Sequence, residues 1–220
     1  GYAEFKHYLL ADVHFSGIKA LINAALGLID GFEKLHNAGF SYQDLNDGNF
    51  SIHPETGDVL ICDNDNVSEY GDNSGIAGKC RYMAPEVVRH EAKPSIHTDR
   101  FSLAVVLYKM LFVEHPLEGK RTVSKYPCMR EDYEVECYGI HPIFTWDPMD
   151  SCNRPVRGVH MNAIKLWPYY PEFVHKAFAD AFSQARLVGT DIRHRMTEQE
   201  WREVFVALRD CLARCSCGDE

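Results

Sequence analysis

Tyr42-Gln43-Asp44-Leu45-Asn46-Asp47-Gly48-Asn49, followed by Ile61-Cys62-Asp63-Asn64-Asp65, is the stretch whose reading decides the fold of this chain. Between the two halves lie β-rich runs at residues 50–53 and 58–62. Pro54-Glu55-Thr56-Gly57 joins them, which predicts a hairpin. Asp44 and Asn49 precede that hairpin and Asp63 follows it. Taken singly, Asp and Asn in loops are turn formers and caps. As an ordered set across one hairpin they ask for a chemical reading.

Working outward, the chain before the hairpin predicts a long helix. Ile18, Leu21, Ile22, Ala25, Ile29, Phe32 and Leu35 recur with a period near 3.6, and Gly39 is a natural stop. Residues 1–15 are mixed and stay unassigned. After the hairpin, residues 64–79 read as loop, and helix returns over 98–112. The apolar stretch 101–113 contains Lys109 and falls short of the roughly 20 residues that a membrane span needs, so it predicts a buried helix. Residues 115–170 are Pro-rich and less regular, expected as an insertion packed on a helical core. Phe173, Val174, Ala177, Phe178, Ala181 and Phe182 mark another amphipathic helix. Thr197-Glu198-Gln199-Glu200 forms a capping box ahead of Trp201, Val204, Phe205, Leu208 and Leu212. The expected architecture is mainly α with a small β hairpin, in one domain over residues 16–212.

Composition narrows the function classes. A formal net charge of −9 argues against nucleic acid or an anionic membrane as the main partner. No signal peptide is visible, and the eight cysteines show no framework spacing, which suits a reducing compartment; cytoplasmic is the expectation. Residues 213–220 form a tail in which Cys215 and Cys217 read either as a frayed end or as half of a zinc ribbon.

The motifs resemble, in order, the C-terminal lobe of a eukaryotic-type protein kinase. Tyr42-Gln43-Asp44 with Asn49 is similar to the catalytic loop and Asp63-Asn64-Asp65 to the metal-binding turn. Tyr82-Met83-Ala84-Pro85-Glu86 resembles the end of an activation segment, Asp99-Arg100-Phe101-Ser102 the central helix and Asp191-x-x-x-Arg195 the last one. Tyr-x-Asp-x-x-x-Gly-Asn, residues 61–67 and His115-Pro116-Leu117-Glu118-Gly119 further resemble a divergent bacterial branch. Such kinases occur beside metal-dependent protein phosphatases, which makes a phosphatase a candidate partner.

The resemblance implies ATP and Mg²⁺ as cofactors and a protein as substrate. Phosphoryl transfer requires an aligned acceptor hydroxyl and charge neutralisation on the phosphate oxygens. Asp44 is then the catalytic carboxylate, and Asn49 and Asp63 are the metal ligands, oxygen donors of the kind Mg²⁺ prefers. Glu86 and Arg195 are expected to form a buried ion pair. Asp99 is expected to brace the catalytic-loop backbone, to cap its own helix, or both.

Departures are part of the pattern. The usual His-Arg is Tyr42-Gln43, and Asp-Phe-Gly is Asp63-Asn64-Asp65. The lysine two residues after the catalytic Asp is Asn46, and the Thr of the usual Gly-Thr pair is Lys79. Asn46 and Lys79 are therefore candidate phosphate contacts, with a solvated loop lysine as the plain alternative for Lys79. The 41 residues before Tyr42 hold no G-x-G-x-x-G, so the N-terminal ATP lobe is expected to be absent from this chain. Two functional readings follow: the catalytic-lobe portion of a serine/threonine kinase, inactive when isolated, or a pseudokinase scaffold that binds without catalysis.

Overall fold

The computed structural model describes residues 1–69, 78–123 and 130–212. The tail with Cys215 and Cys217 lies outside the described residues. Five short strands are present: β1 (Ala3–Glu4), β2 (Phe40–Ser41), β3 (Phe50–Ile52), β4 (Val59–Ile61) and β5 (Ser68–Glu69). The helices are α1 (Phe5–Leu9), α2 (Ile18–Asn37), α3 (Pro85–Val88), α4 (Ile96–Phe112), α5 (Lys120–Val123), α6 (Glu131–Glu134), α7 (Met161–Leu166), α8 (Glu172–Ala181), α9 (Gln184–Leu187) and α10 (Glu198–Asp210). The fold is mainly helical, as the sequence predicts.

The core is built around α4. From Phe101 to Phe112 every residue of this helix is buried, Lys109 included. A helix that is apolar all round has to be covered all round. Helix α2 lies on one side, with Leu21, Ile22, Ala25, Leu28, Ile29 and Phe32 inward, and Val174, Phe178 and Ala181 of α8 lie on another. Trp201, Phe205 and Leu208 of α10 join them, and Trp201 packs on Phe178 with ring centroids 5.0 Å apart. The predicted capping box starts α10: the Thr197 N–H donates to Glu200 Oε2 at 2.7 Å, and the Glu200 N–H donates to Thr197 Oγ1 at 3.3 Å. The irregular region 115–170 packs on the same core through the fully or nearly fully buried Leu117, Tyr138, Phe144 and Ala163.

The hairpin forms as predicted, with Phe50, Ser51 and Ile52 opposite Ile61, Leu60 and Val59. Its turn needs Gly57, which has φ +80° and sits so close to α2 that a β-carbon would run into the Ala20 carbonyl. Three features were not predicted. The unassigned N-terminal residues add an edge strand, pairing Ala3 with Ile52 and Glu4 with Ser51, and bury Phe5 completely. Within the segment read as loop, β5 pairs antiparallel with β2. Helix α4 begins two residues before the predicted start, so Ser95 is its N-cap, and the Ser95 N–H donates to Thr98 Oγ1 at 2.7 Å. Asp99 is thus inside the helix and is not its cap.

Candidate active site

The loop between β2 and β3 is shaped by hydrogen bonds from two sides. From below, Asp99 of α4 is buried and accepts two backbone N–H groups, Tyr42 at 2.6 Å and Gln43 at 2.9 Å. Gln43 has φ +71°, a conformation non-glycine residues adopt at a cost, and the Asp99 clamp holds it there. The expected bracing role of Asp99 is therefore visible in the geometry.

Asp99 is itself held by His36 near the end of α2. His36 Nε2 lies 3.1 Å from Asp99 Oδ2 and Nδ1 lies 2.9 Å from Glu198 Oε1. Arg100 closes the network with a forked pair of bonds to Glu198, at 2.9 and 3.0 Å. Burial alone would lower the imidazole pKa, but the two flanking carboxylates outweigh it and the net shift is upward. A raised pKa means that the folded state binds the proton more tightly. Its contribution to stability is full below the unfolded value of 6.5 and is lost as pH rises through the folded pKa. Lys109, lowered by burial to about 8, has the opposite sign: its penalty is relieved only as pH rises above that value. Between pH 6.5 and 8, thermal melting should therefore show stability falling with pH, and His36→Gln should flatten that slope.

From above, the loop is tied to the hairpin by Tyr42. Its buried hydroxyl donates to the Cys62 carbonyl and lies 3.2 Å from that of Asp63. Burial, followed by the charges of Asp63 and Asp44, pushes the phenol pKa well up, so it stays a donor. Tyr42→Phe removes that donor and should cost about 1–3 kcal/mol in urea denaturation, because the carbonyls are left without it.

These supports bring the candidate residues together. Asn49 Nδ2 donates to the Asp44 carbonyl at 2.8 Å and to its Oδ2 at 3.2 Å. Asn46 Nδ2 donates to Asp44 Oδ1 at 3.1 Å, and Asn46 Oδ1 accepts from Gly48 N–H at 3.0 Å and Lys79 Nζ at 2.9 Å. Asp63 follows β4, where the Cys62 N–H donates to the Asn49 carbonyl at 2.9 Å. It has φ +56°, and its exposed carboxylate makes no hydrogen bond or ion pair among the described residues.

The donor set fits a hard cation. The Asn49 amide nitrogen is committed to Asp44, which leaves its oxygen for a metal, and Asp63 offers an unpaired carboxylate at the neighbouring strand end. Among the described residues no three His, Cys, Asp or Glu side chains gather into a metal cage. A metal here would therefore need oxygens from another molecule, such as a nucleotide.

Glu86 and Arg195 form the expected pair, remote in sequence and buried. Arg195 Nη1 and Nη2 each donate to one oxygen of the Glu86 carboxylate at 2.7 Å. A second cluster was not anticipated. Lys109 Nζ donates to Tyr82 Oη at 2.6 Å, and Arg81 forks onto Glu118 with two bonds of 2.6 Å. His115 Nε2 donates to the Arg81 carbonyl at 2.7 Å while Nδ1 accepts from Leu117 N–H at 3.1 Å, which requires a neutral ring. Burial pushes that ring down to about 3, in agreement. The run His115 to Gly119 thus ties the region after α4 to the segment carrying Tyr82.

Comparison with known proteins gives the class. Residues 3–184 match the protein kinase domain, and the chain belongs to that family. It is 30% identical over 141 residues to G protein-coupled receptor kinase 2 of Caenorhabditis elegans, covering 61% of this chain and 20% of that protein. It is 30% identical over 112 residues to protein kinase C delta type of Mus musculus, covering 49% and 16%. It is 33% identical over 104 residues to serine/threonine-protein kinase STY17 of Arabidopsis thaliana, covering 45% and 18%. The matched region spans about a fifth of the length of these relatives or less. Among the described residues no helix is long and apolar enough to cross a membrane.

Proposed function

We propose that this chain is the catalytic-lobe portion of a protein kinase that transfers the γ-phosphate of ATP to serine or threonine of a protein. The observation that carries the reading is the joint placement of Asp44 and Asn49 on one hydrogen-bonded loop, with Asp63 at the strand end bonded to it. A scaffold has no use for three oxygen-bearing groups arranged this way.

In this reading Asp44 orients the acceptor hydroxyl and receives its proton. The hydroxyl oxygen bonds to the γ-phosphorus as the bond to the β,γ-bridging oxygen breaks, and ADP leaves with that electron pair. Asn49 and Asp63 would hold Mg²⁺, which supplies neutralisation of the phosphate oxygens. Asn46, donating to Asp44 Oδ1, and Asn49, donating to Oδ2, keep the carboxylate from turning away. The named kinases that the chain resembles support serine/threonine specificity. The sequence run His115 to Gly119 carries the resemblance to the divergent bacterial branch, and with it the proposal of a metal-dependent phosphatase as a partner. Scattered cysteines support a reducing, cytoplasmic setting.

The test is transfer of labelled phosphate from ATP and Mg²⁺ to a generic protein substrate by the complete protein, followed by phosphoamino-acid analysis. Phosphoserine or phosphothreonine is the expected product. No transfer would replace this reading with the scaffold, which the loss of the turn aromatic at Asn64 favours.

A further inference from the structure

The sequence lacks a lysine at position 46, yet a lysine ammonium is found at the Asn46 side chain. Lys79 approaches from the segment preceding Tyr82. Its Nζ donates to Asn46 Oδ1 at 2.9 Å and to Asp47 Oδ1 at 3.0 Å. Asn46 in turn donates from Nδ2 to Asp44 Oδ1, so one carboxamide links the ammonium to the candidate catalytic carboxylate. Gly78 leaves room beside the loop: a β-carbon there would lie only 2.6 Å from Asp44 Oδ1, so a larger residue would have to displace that carboxylate.

The two contacts do not make Lys79 a purely structural residue. Its side chain is 57% exposed, and an exposed ion pair with Asp47 is worth little to stability. An exposed ammonium on a flexible stem can keep its partners and still turn one donor to a phosphate oxygen. We propose that Lys79 is the cation that contacts the transferring phosphoryl oxygens, reaching from across the loop to do what a lysine at position 46 would do. The proposal rests on the kinase reading above and adds to it a relocated charge.

The relocation predicts a rescue. In the complete protein, Lys79→Thr should lower kcat about 100-fold with KM for the protein substrate nearly unchanged. It should also lower the ratio of affinities for a non-hydrolysable ATP analogue and for ADP, both with Mg²⁺, by about tenfold in calorimetry, since only the analogue carries the γ group. Adding Asn46→Lys to Lys79→Thr should restore most of both. A wild-type protein without transfer overturns the kinase reading itself. An active wild type whose Lys79→Thr variant keeps its rate and its analogue-to-ADP ratio overturns the role of Lys79 alone. Equal weakening of both nucleotides, with a lowered melting temperature, likewise assigns Lys79 to structure and overturns it. If the double variant does not fold, the ratio measured on the single variant decides.

Discussion

Replacing Arg195 by Ala should destabilise the protein by about 3–5 kcal/mol, and replacing Glu86 should do nearly the same. The two side chains are buried and share two bonds of 2.7 Å, and Arg195 also donates to the His97 carbonyl at 3.2 Å. Removing either partner strands a charge that burial does not tolerate. Removing both strands none, so the double variant Glu86→Ala/Arg195→Ala should lose clearly less than the sum of the singles. Urea denaturation checks this. The effect reaches the site by a short route, because Glu86 is the second residue of α3, and Tyr82, just before that helix, contacts Lys109 of α4. Single variants that melt like wild type would show that this pair does not anchor the segment.

The second large effect concerns rate and not stability. Asp44→Asn keeps the shape of the side chain and one oxygen able to accept from Asn46 or Asn49, so melting should change little. It removes the charge that accepts the substrate proton. Losing such a group typically costs about a hundredfold or more, and the loss should appear in kcat with KM for the protein substrate little altered. A variant that loses rate only in proportion to lost folded protein would place Asp44 among structural residues.

What was legible in the sequence has a common physical origin. The hairpin, the buried helix α4, the capping box of α10 and the Glu86–Arg195 pair each rest on local signals or on motifs with fixed spacing. The features that were not legible rest on partners distant in sequence. Strands β1, β2 and β5 are two residues long, too short for any periodicity, and exist only because Ala3 meets Ile52 and Phe40 meets Glu69. His36 and Glu198 are 162 residues apart, and nothing near either one announces the other. Helix α4 begins before its apolar run, at the Ser95–Thr98 cap, so the apolar pattern alone points to a start near Asp99. Within the candidate site, Asp44, Asn49 and Asp63 stand out in the sequence by type and order. Tyr42 stands in the sequence only as a departure from the usual His, yet its hydroxyl makes one of the bonds that join the loop to the Asp63 turn.

The central claim is that the three oxygen-bearing groups around the hairpin serve phosphoryl transfer. Its most direct test is Asp63→Asn in the complete protein, assayed for Mg²⁺-dependent transfer of labelled phosphate from ATP beside the wild type. The Asp63 carboxylate is exposed and makes no hydrogen bond or ion pair among the described residues, so the variant should fold normally. Wild-type transfer together with a loss of about a hundredfold or more in Asp63→Asn is the predicted result. Transfer that survives the substitution, or its absence from the wild type, would contradict it.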